Sequence, residues 1–285
     1  MERDQLFHKI SQSGTIVIKI GSSRVSGKQS AINDFVMNLA WDVRKLRDMG
    51  KKVILVSSGA VAQGKMLAQE QALPRQTATS LPMRQAYAAM GQSRLMNLYE
   101  SFFSKNNIPI AQILFGILDI QEKSGFQNLK NTFEQLLQWN ILPIVNENDS
   151  ISTEELKFGD NDILSALVAS LTRADLLLLL TGTDGFYKNK KRISFLESIT
   201  PADFKAAKGP VGPGTGGMRS KLQAADVLLQ HGIMTGILHG EKPGVIGRFF
   251  QGEDVGTLVA GDKKRIYMEE NEIKKIFNEK FFKNL

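Results

Sequence analysis

Between residues 157 and 170 the chain reads KFGDNDILSALVAS, two carboxylates and an amide set directly before a segment that is almost wholly apolar. Asp and Asn are favoured helix caps, and negative charge in a first turn is stabilised by the helix dipole, together by roughly 1 kcal/mol. One residue suffices for that duty. Asp160, Asn161 and Asp162 in succession, leading into Ile163, Leu164, Leu167, Val168 and Leu171, exceed it and stand at the mouth of a helix patterned for burial. Four other stretches place polar or glycine residues just after an apolar run: Lys19 with Gly21-Ser22-Ser23, Ser57-Ser58-Gly59-Ala60, Asn146-Glu147-Asn148-Asp149 and Thr181-Gly182-Thr183-Asp184-Gly185.

Each stretch has an ordinary reading beside a chemical one. Lys19 alone is first a solvated strand end. Ser57 to Ala60 is a helix cap or, with its N–H groups exposed, an anion nest. Asn146 to Asp149 is an Asx turn, or a carboxylate and amides able to hold an amine. GTGGMRSK at 214–221 brings flexible backbone to a helix N-terminus with Lys221 in its first turns; that suits a phosphate as well as a plain surface loop. Taken together they describe a crevice with two lysines, several anion nests and a separate Asp and Asn group. That combination points to phosphoryl transfer onto a small zwitterionic or anionic acceptor. His8, His231 and His239 lie outside these loops and there is no cysteine, so no His or Cys nucleophile is at hand.

Two nucleotide motifs are excluded. Gly21 to Lys28 has one residue too many for a Walker A loop and no Ser or Thr after the lysine. GPGTGGM at 212–218 lacks dinucleotide-fingerprint spacing, and no strand leads into it.

The elements that must position these residues are short continuous apolar runs: TIVIKI (15–20), KVILVS (52–57), PIAQIL (109–114), ILPIVN (141–146), LLLLLT (176–181) and MTGIL (234–238). Their lack of alternation predicts strands buried on both faces, as in a parallel sheet covered by helices. Helical periodicity lies between them, clearest at Ile32, Phe35, Val36, Leu39, Val43 and Leu46, ending at Met49-Gly50; residues 80–104, 126–139, 161–172 and 219–231 read alike. The expected fold is a three-layer α/β/α sandwich with a mostly parallel sheet, and in such sheets ligands gather at the carboxyl ends of the strands. No linker or repeat divides the chain. Residues 1–260 are expected to form one domain and 261–285 a short charged tail or helix.

With 285 residues, 42% of them hydrophobic, a large core is available; a net charge of +7 fits either a nucleic-acid partner or handling of anionic ligands. The basic residues are scattered and lack aromatic interleaving, which argues against nucleic acid. The charged N-terminus MERDQLFHKI and the absence of any long apolar run argue for a cytoplasmic protein with no membrane span.

At this point the residues resemble the amino-acid kinase superfamily, and within it the glutamate 5-kinases. KIGSS (19–23), VSSGAVAQGK (56–65), MGQSRL (90–95), PIVNENDSIS (143–152), KFGDNDILSAL (157–167), LLLLTGTDGFY (177–187), GTGGMRSKLQAADV (214–227) and KPGVIG (242–247) carry the resemblance, over roughly residues 14 to 260. It implies ATP- and Mg²⁺-dependent phosphorylation of the γ-carboxylate of L-glutamate, the start of proline synthesis. Carried over, Lys19 and Lys221 neutralise phosphates and Asp162 holds the two lysines. Ser58, Gly59, Ala60, Asp149 and Asn161, with Asp160 nearby, bind glutamate. Lys19, Gly21, Ser22, Thr181, Gly182, Asp184, and Thr215, Gly216, Gly217, Met218, Arg219, Ser220 and Lys221 face ATP, whose phosphates hold the metal without a direct protein ligand. Many relatives have Thr-Asp where this chain has Thr181-Gly182, and many carry a C-terminal PUA domain that this chain is expected to lack. The resemblance also implies a homo-oligomer and a glutamyl phosphate reductase as partner. The rivals are an N-acetylglutamate or carbamate kinase, which need no anionic partner for a free α-amino group such as Asp149 would supply, and a non-catalytic protein on the same fold holding nucleotide or nucleic acid.

Overall fold

The computed structural model describes residues 3–73, 80–152, 161–207, 217–263 and 268–281. In chain order these hold α1 (Arg3–Ser11), β1 (Thr15–Ile20), α2 (Gln29–Asp48), β2 (Lys52–Ser57), α3 (Ala60–Glu70), α4 (Leu81–Phe103), β3 (Ile110–Phe115), α5 (Ile117–Gln121), α6 (Lys123–Gln138), β4 (Leu142–Glu147) and α7 (Asn161–Leu171). There follow β5 (Leu176–Thr181), β6 (Phe186–Lys188), β7 (Lys191–Ile193), β8 (Phe195–Leu196), α8 (Pro201–Ala206), α9 (Met218–Gln230), β9 (Met234–His239), α10 (Val245–Phe250), β10 (Gly256–Val259) and α11 (Glu270–Phe281).

All six apolar runs are strands, and they lie side by side in one sheet. Its order is β3-β4-β2-β1-β5-β9-β10-β8. Neighbours from β3 to β9 pair in parallel, whereas β10 runs antiparallel to β9 and closes with the two-residue β8. Residues of β1 and β5 are buried on both faces because helices cover both.

Period-two alternation decides which helix layer each strand residue meets. On β1, Ile16, Ile18 and Ile20 join the cluster formed with α2, α4 and α10, while Val17 joins the opposite cluster with α6, α7 and α9. Lys19 shares the face of Val17. An ammonium group is thereby delivered into the layer where α7 and α9 begin. The chain leaves β1 through α2 toward β2 on one side, while β5 connects through α9 toward β9 on the other. The carboxyl ends of the adjacent β1 and β5 therefore form a topological switch point, where open α/β sheets leave a crevice.

Two details support that edge. Gly64 of α3 and Gly91 of α4 let these helices touch backbone to backbone: a Cβ on Gly64 would overlap the Tyr87 main chain, and one on Gly91 that of Ala60. The close crossing fixes the start of α3 just after Ser58. At the far end of the chain, α11 does not trail in solvent. It is a helix, one of the two forms expected for this charged segment, and it buries Ile273 and Phe277 in the α7 layer's cluster.

Candidate active site

Asp162 sits in the first turn of α7 with no exposed surface. One carboxylate oxygen lies 2.5 Å from Lys19 Nζ on β1, and the other 2.9 Å from Lys221 Nζ in the first turn of α9. Ser220 Oγ donates to that second oxygen at 2.8 Å. Lys221 also donates to the Gly217 carbonyl at 3.4 Å. Both lysines are only 5% exposed. Taking three charges out of water costs several kcal/mol apiece, which is recovered only when their mutual geometry is good. A carboxylate bridging two ammonium groups at the dipole end of a helix meets that condition. Among the described residues, two buried cations thus share one carboxylate beside the N-terminus of α9, an environment that favours an incoming anion.

Next to this triad lies a neutral network. Asn161 Nδ2 donates to Ser58 Oγ at 2.7 Å and to Asn146 Oδ1 at 3.1 Å, while Asn146 Nδ2 donates to Gln92 Oε1 at 3.0 Å. The Glu147 backbone N–H donates to the same Asn146 oxygen at 2.9 Å. Both amide hydrogens of Asn161 are committed inside the protein, so what it offers a ligand is its carbonyl oxygen, an acceptor suited to an ammonium group. Ser58 accepts from Asn161, which leaves its hydroxyl hydrogen to donate, as a carboxylate requires. Behind them Ser57 Oγ meets Tyr99 Oη at 2.6 Å, and burial pushes the Tyr99 phenol well above its ordinary range. Gly59 completes the β2 turn at φ 120°, a conformation that disfavours side chains, and a Cβ there would run into Val25. Val25 belongs to a single 3-10 turn at Ser22–Val25 that follows β1 and is held by a 2.5 Å bond from Gln63 Nε2 to its carbonyl.

The sequence-derived candidates are placed unevenly. Lys19, Asp162, Gly217, Ser220 and Lys221 form one cluster, and Ser58 with Asn161 a second that adjoins it through the 161–162 peptide. Gly21 and Ser22 begin the turn after β1, Gly59 and Ala60 the first turn of α3. Asp149 lies half-buried in the turn after β4, its N–H donating to the Glu147 carbonyl at 2.9 Å. Thr181 ends β5 half-buried, and Gly182 is exposed. Asp184 accepts from Tyr187 Oη at 2.8 Å and lies 3.9 Å from Lys242, and these partners, the tyrosine hydroxyl first, hold its carboxyl below the usual range. Met218 opens α9 half-buried, while Arg219 points outward with its guanidinium over the Phe204 ring. Asp160, Thr215 and Gly216 lie outside the described residues. Of the participants, Gln92 carried no role in the sequence reading, and Asn146 only its share in the Asn146 to Asp149 stretch. Both stand inside quoted motifs, NEND and MGQSRL, and the buried position of an asparagine closing an apolar run was the available signal.

The amino acid kinase family profile matches residues 14–239. A glutamate 5-kinase from Geobacter metallireducens is 43% identical over 253 residues, covering 85% of this chain and 66% of that protein. The glutamate 5-kinase of Geobacter sulfurreducens is 41% identical over 266 residues, covering 90% of this chain and 70% of that protein. The chain belongs to the amino acid kinase family, in its glutamate 5-kinase branch. It spans about two thirds of the length of these two curated relatives. Carbamate kinase from Giardia shares the fold, with a TM-score of 0.61 at 17% identity over 88% of this chain and the whole of that one.

An amino acid kinase must accept a polyphosphate, and the side chains fit one: two buried ammonium groups pre-set by one carboxylate, beside a helix N-terminus capped by a glycine. Among the described residues no group of three or more His, Cys, Asp or Glu is arranged to hold a metal ion, and no helix is long and apolar enough to cross a membrane.

Proposed function

We propose that the chain phosphorylates the γ-carboxylate of L-glutamate with ATP, giving L-glutamyl 5-phosphate, the first step of proline biosynthesis. The observation that carries this reading is the Lys19–Asp162–Lys221 bridge at the switch point, with the Ser58–Asn161 pair beside it. Magnesium-bound ATP supplies the phosphoryl group: a γ-carboxylate oxygen forms the new P–O bond while the β,γ-bridging P–O bond breaks and ADP leaves.

A glutamate side chain, with pKa about 4.3, is already ionised at neutral pH, so no general base is required. The obstacle is repulsion between two anions. Lys19 and Lys221 offset the charge on the transferred group, and because Asp162 fixes both in advance, little reorganisation is needed as that charge moves. Asp162 is therefore an orienting carboxylate and not a proton acceptor. The Asn161 carbonyl and the Ser58 hydroxyl supply an acceptor and a donor for the zwitterionic end, with Asp149 the anionic partner of the α-amino group and Asp160 beside it. Gly21, Ser22, Thr181 and the 215–221 segment face the nucleotide, and Mg²⁺ would be held through the nucleotide and would help to offset its charge. Asp184 is engaged with Tyr187 and Lys242, so its contact with the nucleotide requires that pairing to loosen. A cytoplasmic location, a homo-oligomer and a reductase that takes up the labile acyl phosphate complete the reading.

Protein, Mg-ATP, L-glutamate and hydroxylamine together test it. Formation of γ-glutamyl hydroxamate is the expected outcome. Product from N-acetylglutamate or carbamate but none from glutamate moves the chain to another acyl-phosphate-forming kinase.

A further inference from the structure

The direction of the neutral network beside the Asp162 bridge is set from a single point. A main-chain N–H can only donate, so the Glu147 N–H, 2.9 Å from Asn146, fixes which end of that side-chain amide is the oxygen. The same Asn146 Oδ1 takes Asn161 Nδ2 as its second donor at 3.1 Å, and Asn146 Nδ2 is thereby turned the other way, onto Gln92 Oε1 at 3.0 Å. Asn146 is only 2% exposed, so solvent is not at hand to replace Gln92 as the acceptor. Passed along the chain of amides, this direction ends at the Asn161 carbonyl oxygen, the atom left to face a ligand.

The fold holds Gln92 where it can serve. It follows Gly91, whose missing side chain seats α4 against the main chain of Ala60, the first residue of α3, and so fixes its distance from the turn after β2. Its Nε2 reaches Gln112 Oε1 on the edge strand β3 at 3.4 Å, which leaves its Oε1 for Asn146. Two helical turns earlier, on the same face of α4, Gln85 Nε2 donates to the Ser152 carbonyl at 3.2 Å. One helix face therefore grips both ends of the 146–152 stretch, which carries Asp149.

We propose that Gln92 is a positioning residue for substrate selection: through Asn146, its acceptor oxygen keeps the Asn161 carbonyl aimed at the α-ammonium group, so that an acceptor with a free amine is preferred over one with a carbonyl at that carbon. The proposal rests on the reading that glutamate is the phosphoryl acceptor. Without an acceptor at residue 92, the buried Asn146 Nδ2 loses its partner. The Asn146 amide is then free to turn and Asn161 with it, which brings a donor to face the ammonium group in place of the carbonyl.

The test is steady-state kinetics of the full chain with Mg-ATP, glutamate and hydroxylamine, together with Tm. Gln92→Met, similar in volume but without a strong acceptor, is expected to raise KM for glutamate about 5- to 50-fold, with kcat within about threefold of the parent and KM for ATP unchanged. In the same variant 2-oxoglutarate, which has a carbonyl in place of the amine, should inhibit more strongly relative to glutamate binding. Gln92→Glu keeps an acceptor and should hold KM for glutamate within about threefold of the parent, whereas Gln92→Lys, a donor only, should be no better than Gln92→Met. An unchanged KM for glutamate in Gln92→Met overturns the proposal. So do equal rises in both KM values with a lowered Tm, which would make Gln92 a packing residue of α4, or a folded Gln92→Glu that fails to restore KM. Were Gln92→Met not to fold, the charged pair carries the same comparison, and equal KM values in Gln92→Glu and Gln92→Lys overturn the proposal. A parent that forms no γ-glutamyl hydroxamate strikes the reading of glutamate as acceptor, and the proposal with it, before any substitution is made.

Discussion

Asp162 and Asp42 are both buried aspartates on helices that pack against opposite faces of one sheet. One is bridged by two lysines and a serine hydroxyl, the other has an oxygen with no hydrogen-bond partner and a carboxyl pushed up to about 6. Burial alone therefore does not distinguish an assembled charge site from a strained one; the partners do. A buried carboxylate with two cations is the keystone whose removal leaves those cations uncompensated, whereas one without partners destabilises its surroundings by being charged at all.

The largest effect should follow from Asp162→Ala. It strands two buried ammonium groups, and losing one member of a buried ion cluster costs about 3–5 kcal/mol. Thermal unfolding should show a lowered Tm, and hydroxamate formation should fall by a factor on the order of a thousand or more, since both phosphate-binding lysines lose their orientation. A small Tm change with normal turnover would mean that the bridge is structural decoration. Lys221→Ala sharpens the point from the other side. Removing one cation relaxes the cluster's charge, so the fold should survive while kcat falls about 10²–10³-fold, the range for deleting one pre-set electrostatic group. Unchanged kcat would remove Lys221 from the mechanism.

Asn161 adjoins Asp162 but belongs to the neutral network, and the two should part company kinetically. Asn161→Ala takes away an acceptor aimed at the substrate and the donor to Ser58 Oγ, and leaves Asn146 Oδ1 with the Glu147 N–H in place of two donors, a loss of about 1–3 kcal/mol. KM for glutamate should rise about 5- to 100-fold with kcat changed less. Equal stability losses and no change in KM would return residues 161 and 162 to the role of a helix cap.

The contrast also shows what a sequence exposes. Five strands were legible because burial on both faces writes a run of apolar residues that no turn or exposed helix imitates, and β3 because its run stays apolar although it lies at the sheet edge with Gln112 exposed. The edge strand β8 and its neighbour β10 were not, since two and four residues leave too little pattern. Lys19 read on its own as a solvated strand end, and only the pleat together with the arrival of α7 shows that it is buried. Asp162 was legible because three polar residues exceeded what a cap needs, and Lys221 because it follows a glycine-rich helix start. Gln92 acts through a contact across elements, which no local spacing encodes, and Asn146 showed only as an asparagine closing an apolar run. Asp42 had a signal that passed unused: it interrupts the apolar stripe Leu39, Val43, Leu46 at a position three residues after Leu39, where an amphipathic helix faces inward.

The smallest effect is also the one of opposite sign. Because the folded-state pKa of Asp42 is raised from 3.8 to about 6, the folded protein binds that proton more tightly than the unfolded chain does. The stability it contributes is fully present below about pH 4 and is lost as pH rises through about 6. Asp42→Asn keeps the shape of the side chain without the titration, so it should match the parent near pH 4 and exceed it at pH 7 by an amount on the order of 1–3 kcal/mol. Tm measured from pH 4 to 8 would trace the gap, which should open across pH 4 to 6 and stay constant above 7. A gap independent of pH would mean that the Asp42 carboxyl titrates alike in the folded and unfolded chain, its burial offset by Lys45, and would erase the contrast with Asp162.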